Sequence, residues 1–364
     1  KPNLLNFLDL VTLGTVCDVV PLIDLNRAIV KQGLKVLKKK NNIGLSTLFD
    51  ICNINVSPSP YHLGYVIGPR INAGGRVGKC SHGANLLLNT SSKESYKLAS
   101  ELNEFNKERR NLESVLLQKV LSVAYDSASD PILILSGNKW HEGIIGIIAS
   151  RIKDKFNKPS IIISTDGKVS KGSARSIVGF DIGSLIIGAM QKGILIKGGG
   201  HKMAGGFSIE TDKIDIFKKY VFNKFNSIEK KVVNHNLLID SEISPSALNI
   251  NFFDIVNKLA PFGSGNPEPR FAIENLKPIN SKIVGEKHIK SVLVGLDGST
   301  IKTMAFNAIE TDISPYLLQK NSKFINIVGK LSLNEWKGQK NVEFIIDDIS
   351  VNKENKNTVP SSIG

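Results

Sequence analysis

Between Ser92 and Ala124, apolar residues recur at positions 98, 102, 105, 112, 116, 120 and 123. This is the three- and four-residue spacing of one helical face, held for about eight or nine turns. At 1.5 Å per residue the helix approaches ~45 Å. A small compact core has no place for a rod of that length, so the spacing predicts a strut between domains. The length of 364 residues agrees, being enough for roughly two or three domains.

The chain changes texture on either side of this helix. Upstream, residues 4–23 ("LLNFLDLVTLGTVCDVVPLI") form an apolar segment closed by Pro21, and 26–40 form a helix-like stretch ending in lysines. Lysines there suit a helix C-terminus through the macrodipole. A "SPSP" break at 57–60 precedes "YHLGYVIGPRINAGGRVG", rich in glycine and carrying Arg70 and Arg76. Downstream, "DPILILSG" reads as a buried strand and "HEGIIGIIASRIKDKF" as a helix. "KPSIIIST" and "KVSKGSARSIVG" read as strands, "DIGSLIIGAM" as a helix, "KGGGHKMAGGF" as a glycine loop, "GFSI" as a strand and 211–230 as a basic helix. That alternation predicts a mixed α/β domain. Beyond residue 232, short alternating segments separated by turn residues predict a small β-barrel or sandwich, and the tail "NKENKNTVPSSIG" predicts disorder.

The formal charge is +14, which favours an anionic partner, nucleic acid first and an anionic membrane surface second. Only 8 of the 47 basic residues are arginine, however, and a lysine-rich bias of this kind raises net charge without building a site. Cys17, Cys52 and Cys80 lie far apart with no CxxC, which argues against a disulfide framework or a zinc site. No apolar run reaches the roughly 18 residues that span a bilayer, and "KPNLLNFLDL" does not have the form of a signal peptide. Without an initiator Met, the chain is expected to begin inside a larger protein.

Five constellations carry chemistry, each with a plainer alternative. Asp18 in an apolar stretch is a candidate hard-metal ligand at the end of a strand, or caps a turn in water. The glycines around Arg70 and Arg76 allow backbone approach with bidentate phosphate contacts, or form a turn whose arginines pair with carboxylates. His141 and Glu142 stand at a helix N-terminus, which attracts anions, or Glu142 merely complements the dipole while Trp140 packs. In "SKGSARS", Lys171, Ser173 and Arg175 share one face of a strand and make a phosphate pocket, or an exposed polar face. In "KGGGHKMAGGF", Gly199, Gly200 and His201 build an anion nest, or a tight connection. No Walker or dinucleotide fingerprint is present.

Taken in order, "LDLVTLGTVCDVVPL", "GPRINAGGRVG", "WHEGIIGIIASR", "GSARS", "GGGHKMAGGFSI" and "LAPFGSGNPEPRF" resemble the RecJ family of single-strand exonucleases, of the DHH phosphoesterase superfamily. The likeness covers about residues 5–350. It implies an α/β multidomain chain: the end of a DHH domain over 1–90, a connecting helix over 91–126, a mixed α/β DHH-associated domain over 127–231, an OB-like β-barrel over 232–353 and a disordered tail over 354–364. No Asp-His-His occurs, so the resemblance implies that most metal ligands lie upstream of residue 1. Cys17 stands where the family commonly has alanine.

The resemblance further implies a 5′-to-3′ exonuclease of DNA repair and recombination, in a bacterial cytoplasm, using two divalent cations, Mn or Mg. Asp18 would be a metal ligand and, with His201, catalytic. Ser173 and Arg175 would hold the 5′-phosphate, and Arg70, Arg76, His141, Gly199, Gly200 and His201 would contact DNA or phosphate. Phe262, Phe271 and Trp336 are stacking candidates in the OB-like domain, each with a core alternative. Single-stranded DNA is the expected partner, with a helicase and a single-strand-binding protein as accessories. Two other readings stay open: a phosphoesterase of short oligonucleotides or cyclic dinucleotides, and, for this fragment, a non-catalytic single-strand-binding module.

Overall fold

The helical period around residue 100 is one helix of 35 residues, Ser92–Asp126, in the computed structural model, which describes residues 3–227, 237–318, 323–336 and 338–351. The chain divides into two units. One takes Lys1–Leu13 and Leu34–His235, the other Gly14–Gly33 and Asn236–Gly364.

In the first unit, α1 (Leu8–Cys17) and α2 (Asp24–Leu37) contribute in part, followed by α3 (Ile43–Ile51), α4 (Gly68–Val77), α5 (Ser81–Leu88) and the long helix α6 (Ser92–Asp126). Ser91 caps α6, its hydroxyl accepting from the Glu94 amide at 3.4 Å, as an S-x-x-E start predicts. Both halves of α6 belong to this unit, each packed into a different core. The first half buries Leu98, Ala99 and Leu102 where α3, α4 and α5 pack on it. The second half buries Leu116, Val120 and Ala124 in another core. Between the two cores the buried positions are polar, Asn106 and Glu113, both bonded to Arg109.

That second core lies on one face of a five-stranded sheet of order β1-β2-β3-β5-β4: β1 (Leu133–Asn138), β2 (Ser160–Thr165), β3 (Val169–Arg175), β4 (Lys197–His201) and β5 (Ala204–Glu210). Only β1 and β2 run parallel, joined by α7 (Glu142–Phe156), which packs over β2 and β3. The opposite face carries α8 (Ile182–Gln191) and α9 (Ile214–Asn226), with Ile161, Ile163, Ile186, Phe207 and Phe217 in its core.

The second unit is a six-stranded mixed sheet of order β10-β11-β9-β8-β7-β6, in which β10 also pairs with β7. Its strands are β6 (Ser241–Glu242), β7 (Phe271–Val284), β8 (His288–Val294), β9 (Thr300–Ala305), β10 (Ile325–Trp336) and β11 (Gln339–Val351), with short helices α10 (Ile250–Asn257) and α11 (Ser314–Leu318). Alternate residues Ile289, Leu293, Ile301, Ile325, Ile327 and Phe344 point into one core, as period-two patterning requires. The segment 14–33 is tied to the loop before β7. The Leu22 amide donates to the Ser264 carbonyl at 2.6 Å, and Arg27 donates to the carbonyls of Leu259 and Ala260 at 2.8 and 3.2 Å. The tail over 354–364 lies outside the described residues.

Candidate nucleic-acid interface

The strand β3 presents Lys171, Ser173 and Arg175 on one face, while Ser170, Gly172 and Ala174 are buried on the other. They line an open cleft of about 610 Å³ together with Arg76 from α4 and Gly143 and Gly146 from α7. Arg175 is held in place by its own strand, donating to the Ser173 hydroxyl at 3.3 Å and the Ala174 carbonyl at 2.8 Å. Arg76 donates to the Gly143 carbonyl at 3.0 Å. Among the described residues, neither Arg76 nor Arg175 forms an ion pair.

Burial, and then the Arg76 charge, lowers the pKa of Arg175 below that of an ordinary guanidinium. Burial, and then Arg109, does the same to Arg76, with Glu113 opposing. A guanidinium stays protonated regardless. Two like charges on one cleft, Arg175 half-buried and Arg76 exposed, with no ion pair among the described residues, therefore favour an anion between them, and a guanidinium fork suits a phosphate.

Glycine keeps this cleft open. A Cβ on Gly146 would lie 3.0 Å from the Ser173 hydroxyl and 3.2 Å from an Arg175 guanidinium nitrogen. A Cβ on Gly143 would lie 2.5 Å from the Arg76 carbonyl. His141 is the N-cap residue of α7, but its side chain makes no cap bond. The cleft wall is built by Glu142 and Gly143 next to it.

The stretch 197–207 is not a loop but a hairpin: β4 and β5 pair antiparallel with Gly199 opposite Gly206 and His201 opposite Ala204. The expected nest of turn amides is therefore absent, and the glycines serve a flat sheet surface instead. Residues directly opposite share a face, which gives three rows across β3, β5 and β4. These are Lys171–Ser208–Lys197, Ser173–Gly206–Gly199 and Arg175–Ala204–His201. The middle row is bare: a Cβ on Gly199 would meet nothing within 4 Å, and one on Gly206 only the Gly172 carbonyl at 3.7 Å. Gly200 has the opposite orientation, with its partner Gly205 facing Ile186 of α8, so it does not join Gly199 on the open face.

His201 stands two strands from Arg175, about 10 Å at ordinary strand spacing. Its Nδ1 accepts from the Met203 amide at 3.3 Å, which leaves Nε2–H as a free donor.

Three other expectations are corrected. Residues 61–78 are helical, with a π-turn at His62–Ile67 running into α4, not a glycine-rich turn. Arg70 is already occupied, donating to Asn103 at 2.9 Å and to the Val66 carbonyl at 2.8 Å, so it ties α4 to α6. Asp18 follows the end of a helix, not a strand. Its amide donates to the Gly14 carbonyl at 2.9 Å, its side chain is exposed, and burial followed by its charge pushes the Cys17 thiol up to about 11. Among the described residues, no group of three His, Cys, Asp or Glu side chains is placed to hold a metal ion. Asp18 is a single exposed carboxylate and by itself does not complete a metal site.

In the second unit, Phe271 is a core residue, 6% exposed, and cannot stack on a base. Phe262 is half-buried, and the Trp336 side chain lies outside the described residues. Instead, a groove of about 610 Å³ on the outer face of β7, β8, β9, β10 and β11 is lined by Lys282, Lys290, Lys302, Asn280, Asn334 and Glu343 among others. The sequence reading missed these lysines, although each occupies the polar phase of an alternating strand, which was the available signal.

The region described as "DHHA1 domain" matches residues 129–227, and "RecJ OB domain" matches residues 239–348. These two modules in this order define a DHH-associated α/β domain followed by an OB domain. The single-stranded-DNA-specific exonuclease RecJ of Escherichia coli is 31% identical over 360 residues, covering 96% of this chain and 62% of that protein. The Bacillus subtilis RecJ is 29% identical over 359 residues, covering 95% of this chain and 44% of that protein. A crystal structure of Thermus thermophilus RecJ in complex with Mn2+ superposes with a TM-score of 0.83 at 28% identity, covering 97% of this chain and 50% of that one. The chain is a partial RecJ-like protein. It spans 62% of the length of the Escherichia coli relative.

Proposed function

We propose that the chain is part of a 5′-to-3′ exonuclease that hydrolyses single-stranded DNA, with the Arg76–Ser173–Arg175 cleft receiving the terminal 5′-phosphate. One observation carries this reading: two guanidiniums that form no ion pair among the described residues, Arg175 half-buried and Arg76 exposed, converge with a serine hydroxyl on one cleft. A terminal phosphate is the strand's most highly charged group, and forked, charge-assisted hydrogen bonds suit it best. The bare row Ser173–Gly206–Gly199 lets a sugar–phosphate backbone lie against the sheet, with His201 donating from Nε2–H to a neighbouring phosphate. The lysine groove of the second unit holds the rest of the strand by positive charge.

Mn2+ or Mg2+ is the cofactor of the proposed activity, and Asp18 is one ligand. The other ligands belong to the part of the relatives' length that this chain does not match. The role is in DNA repair and recombination in the bacterial cytoplasm, with a helicase and a single-strand-binding protein as accessory partners. No helix among the described residues is long and apolar enough to cross a membrane.

The test is binding of 5′-phosphorylated against 5′-hydroxyl single-stranded DNA, read by anisotropy, with hydrolysis read in the product of the whole reading frame plus Mn2+. A clear preference for the phosphorylated end is expected. Equal binding of the two ends would overturn the assignment of the cleft. Failure of the whole product to release nucleotides would overturn the activity.

A further inference from the structure

The groove in the second unit contains a feature that general attraction to phosphate does not account for. Its floor holds a carboxylate, Glu343, whose side chain is only 9% exposed. Its neighbour on β11, Phe344, points into the core, so Glu343 points outward into the groove. Lys290 donates to Glu343 Oε1 at 3.0 Å, and Asn334 donates to the same oxygen at 3.1 Å. Among the described residues Oε2 has no such partner.

Burial pushes the Glu343 carboxyl up. Hydrogen bonds from Lys290 and Asn334 and the charges of Lys290 and Lys302 outweigh that and hold it below the ordinary value. The group is therefore an ionised acceptor at neutral pH. In a groove that only neutralised a backbone, a buried negative charge would weaken the grip.

A carboxylate oxygen beside lysine ammoniums has the opposite pattern to a base edge that carries an exocyclic amine next to a ring nitrogen or carbonyl. Cytosine has this edge: N4–H donates, while N3 and O2 accept. Acceptance from cytosine N4 by a glutamate is among the standard base contacts. Thymine places the O4 carbonyl where the amine would be, and two acceptor oxygens then face each other. Sites built to bond a donor reject analogues that lack it, because their own polar group is left unpaired.

We propose that this groove reads the base edge as well as the backbone, with Glu343 Oε2 accepting from an exocyclic amine and Lys290 and Lys302 donating to the adjacent acceptors. It therefore holds cytosine in preference to thymine. The inference rests on the single-stranded-DNA reading above and adds a base preference to it.

The test compares oligo(dC) and oligo(dT), both 5′-hydroxyl and of one length, at one salt concentration, by fluorescence anisotropy with the full chain. The wild type should bind oligo(dC) roughly tenfold tighter, the lower end of what one good base contact contributes. Glu343→Gln should level or reverse that ratio, since its amide can donate to thymine O4. The wild-type ratio needs no variant to fold, and melting of E343Q checks that its fold is intact. Equal wild-type affinities would overturn the base preference and leave the single-stranded-DNA reading standing, as would an E343Q protein that folds and keeps the tenfold ratio. Failure to bind any single-stranded oligonucleotide would overturn both.

Discussion

The cleft of the α/β unit and the groove of the β unit are both cationic and of equal size, about 610 Å³, yet they are built on opposite principles. The cleft uses arginines tethered by hydrogen bonds, half-buried Arg175 to its own backbone and Arg76 to the start of α7. The groove uses lysines on neighbouring strands, of which Lys282 and Lys302 are exposed. A guanidinium is a rigid fork that suits one phosphate geometry, whereas an ammonium is a mobile point charge that accepts many. The first arrangement suits recognition of an end, and the second suits holding a strand of any register. The buried carboxylate in the groove is the exception that calls for a more specific reading.

The sharpest way to break the comparison is Arg175→Ala. If the cleft reads a terminal phosphate, this change removes charge-assisted hydrogen bonds of about 1.5–3 kcal/mol. Preference for a 5′-phosphorylated over a 5′-hydroxyl oligonucleotide should fall by roughly 10- to 100-fold. An unchanged ratio would mean that the cleft and the groove do the same thing.

Gly183→Ala tests whether the hairpin is rigid. A Cβ there would lie 2.8 Å from the His201 carbonyl, so α8 and the hairpin must part, at about 1–3 kcal/mol of stability. Thermal unfolding should shift down, and His201 should lose part of its contribution to binding.

Arg70→Ala separates a structural arginine from a site arginine. Losing its bonds to Asn103 and the Val66 carbonyl should cost about 1–2 kcal/mol in urea unfolding. The phosphate preference should stay as it is in the wild type, and a lost preference would return Arg70 to the site.

Acid should act on the groove through Glu343. Its folded value lies below the ordinary one, near 4.3 for an unfolded glutamate. Its stabilising contribution is thus fully present above that unfolded value and is lost as pH falls through the lower folded value. An unfolding series between neutral pH and pH ~3 should show a falling limb that Glu343→Gln flattens. The smallest effect belongs to Lys302→Ala, which should lower the salt slope of single-stranded binding by about 0.7, equally for phosphorylated and hydroxyl ends.

Much of this organisation is legible in the chain. The repeat of apolar residues over 92–124 marks α6 because burying one helical stripe requires that spacing. The alternation in "SKGSARS" puts Lys171, Ser173 and Arg175 on one face because strand side chains alternate. Other parts are not legible. Glycine content alone cannot tell a loop from a hairpin, since "KGGGHKMAGGF" satisfies both until β5 pairs with β3. Nor can it show that "GPRINAGGRVG" is helical, because the packing of α4 on α6 outweighs the weak propensity of glycine. Phe271 looked available for stacking because an aromatic in an alternating strand carries no label for its face.

What the sequence determined by itself was local: the period of each element, the residues that share a face, and the ordered motifs that identify a RecJ-like chain. What tertiary structure alone decided was convergence. Arg76 and Arg175 are 99 positions apart in the chain, and only the packing of α4 on α7 and of α7 on β3 brings them to one cleft. Glu343 and Lys290 meet only because β8 and β11 present them to the same groove. Periodicity is written in neighbouring residues, whereas the meeting of distant charges depends on how helices and strands bury their apolar faces together.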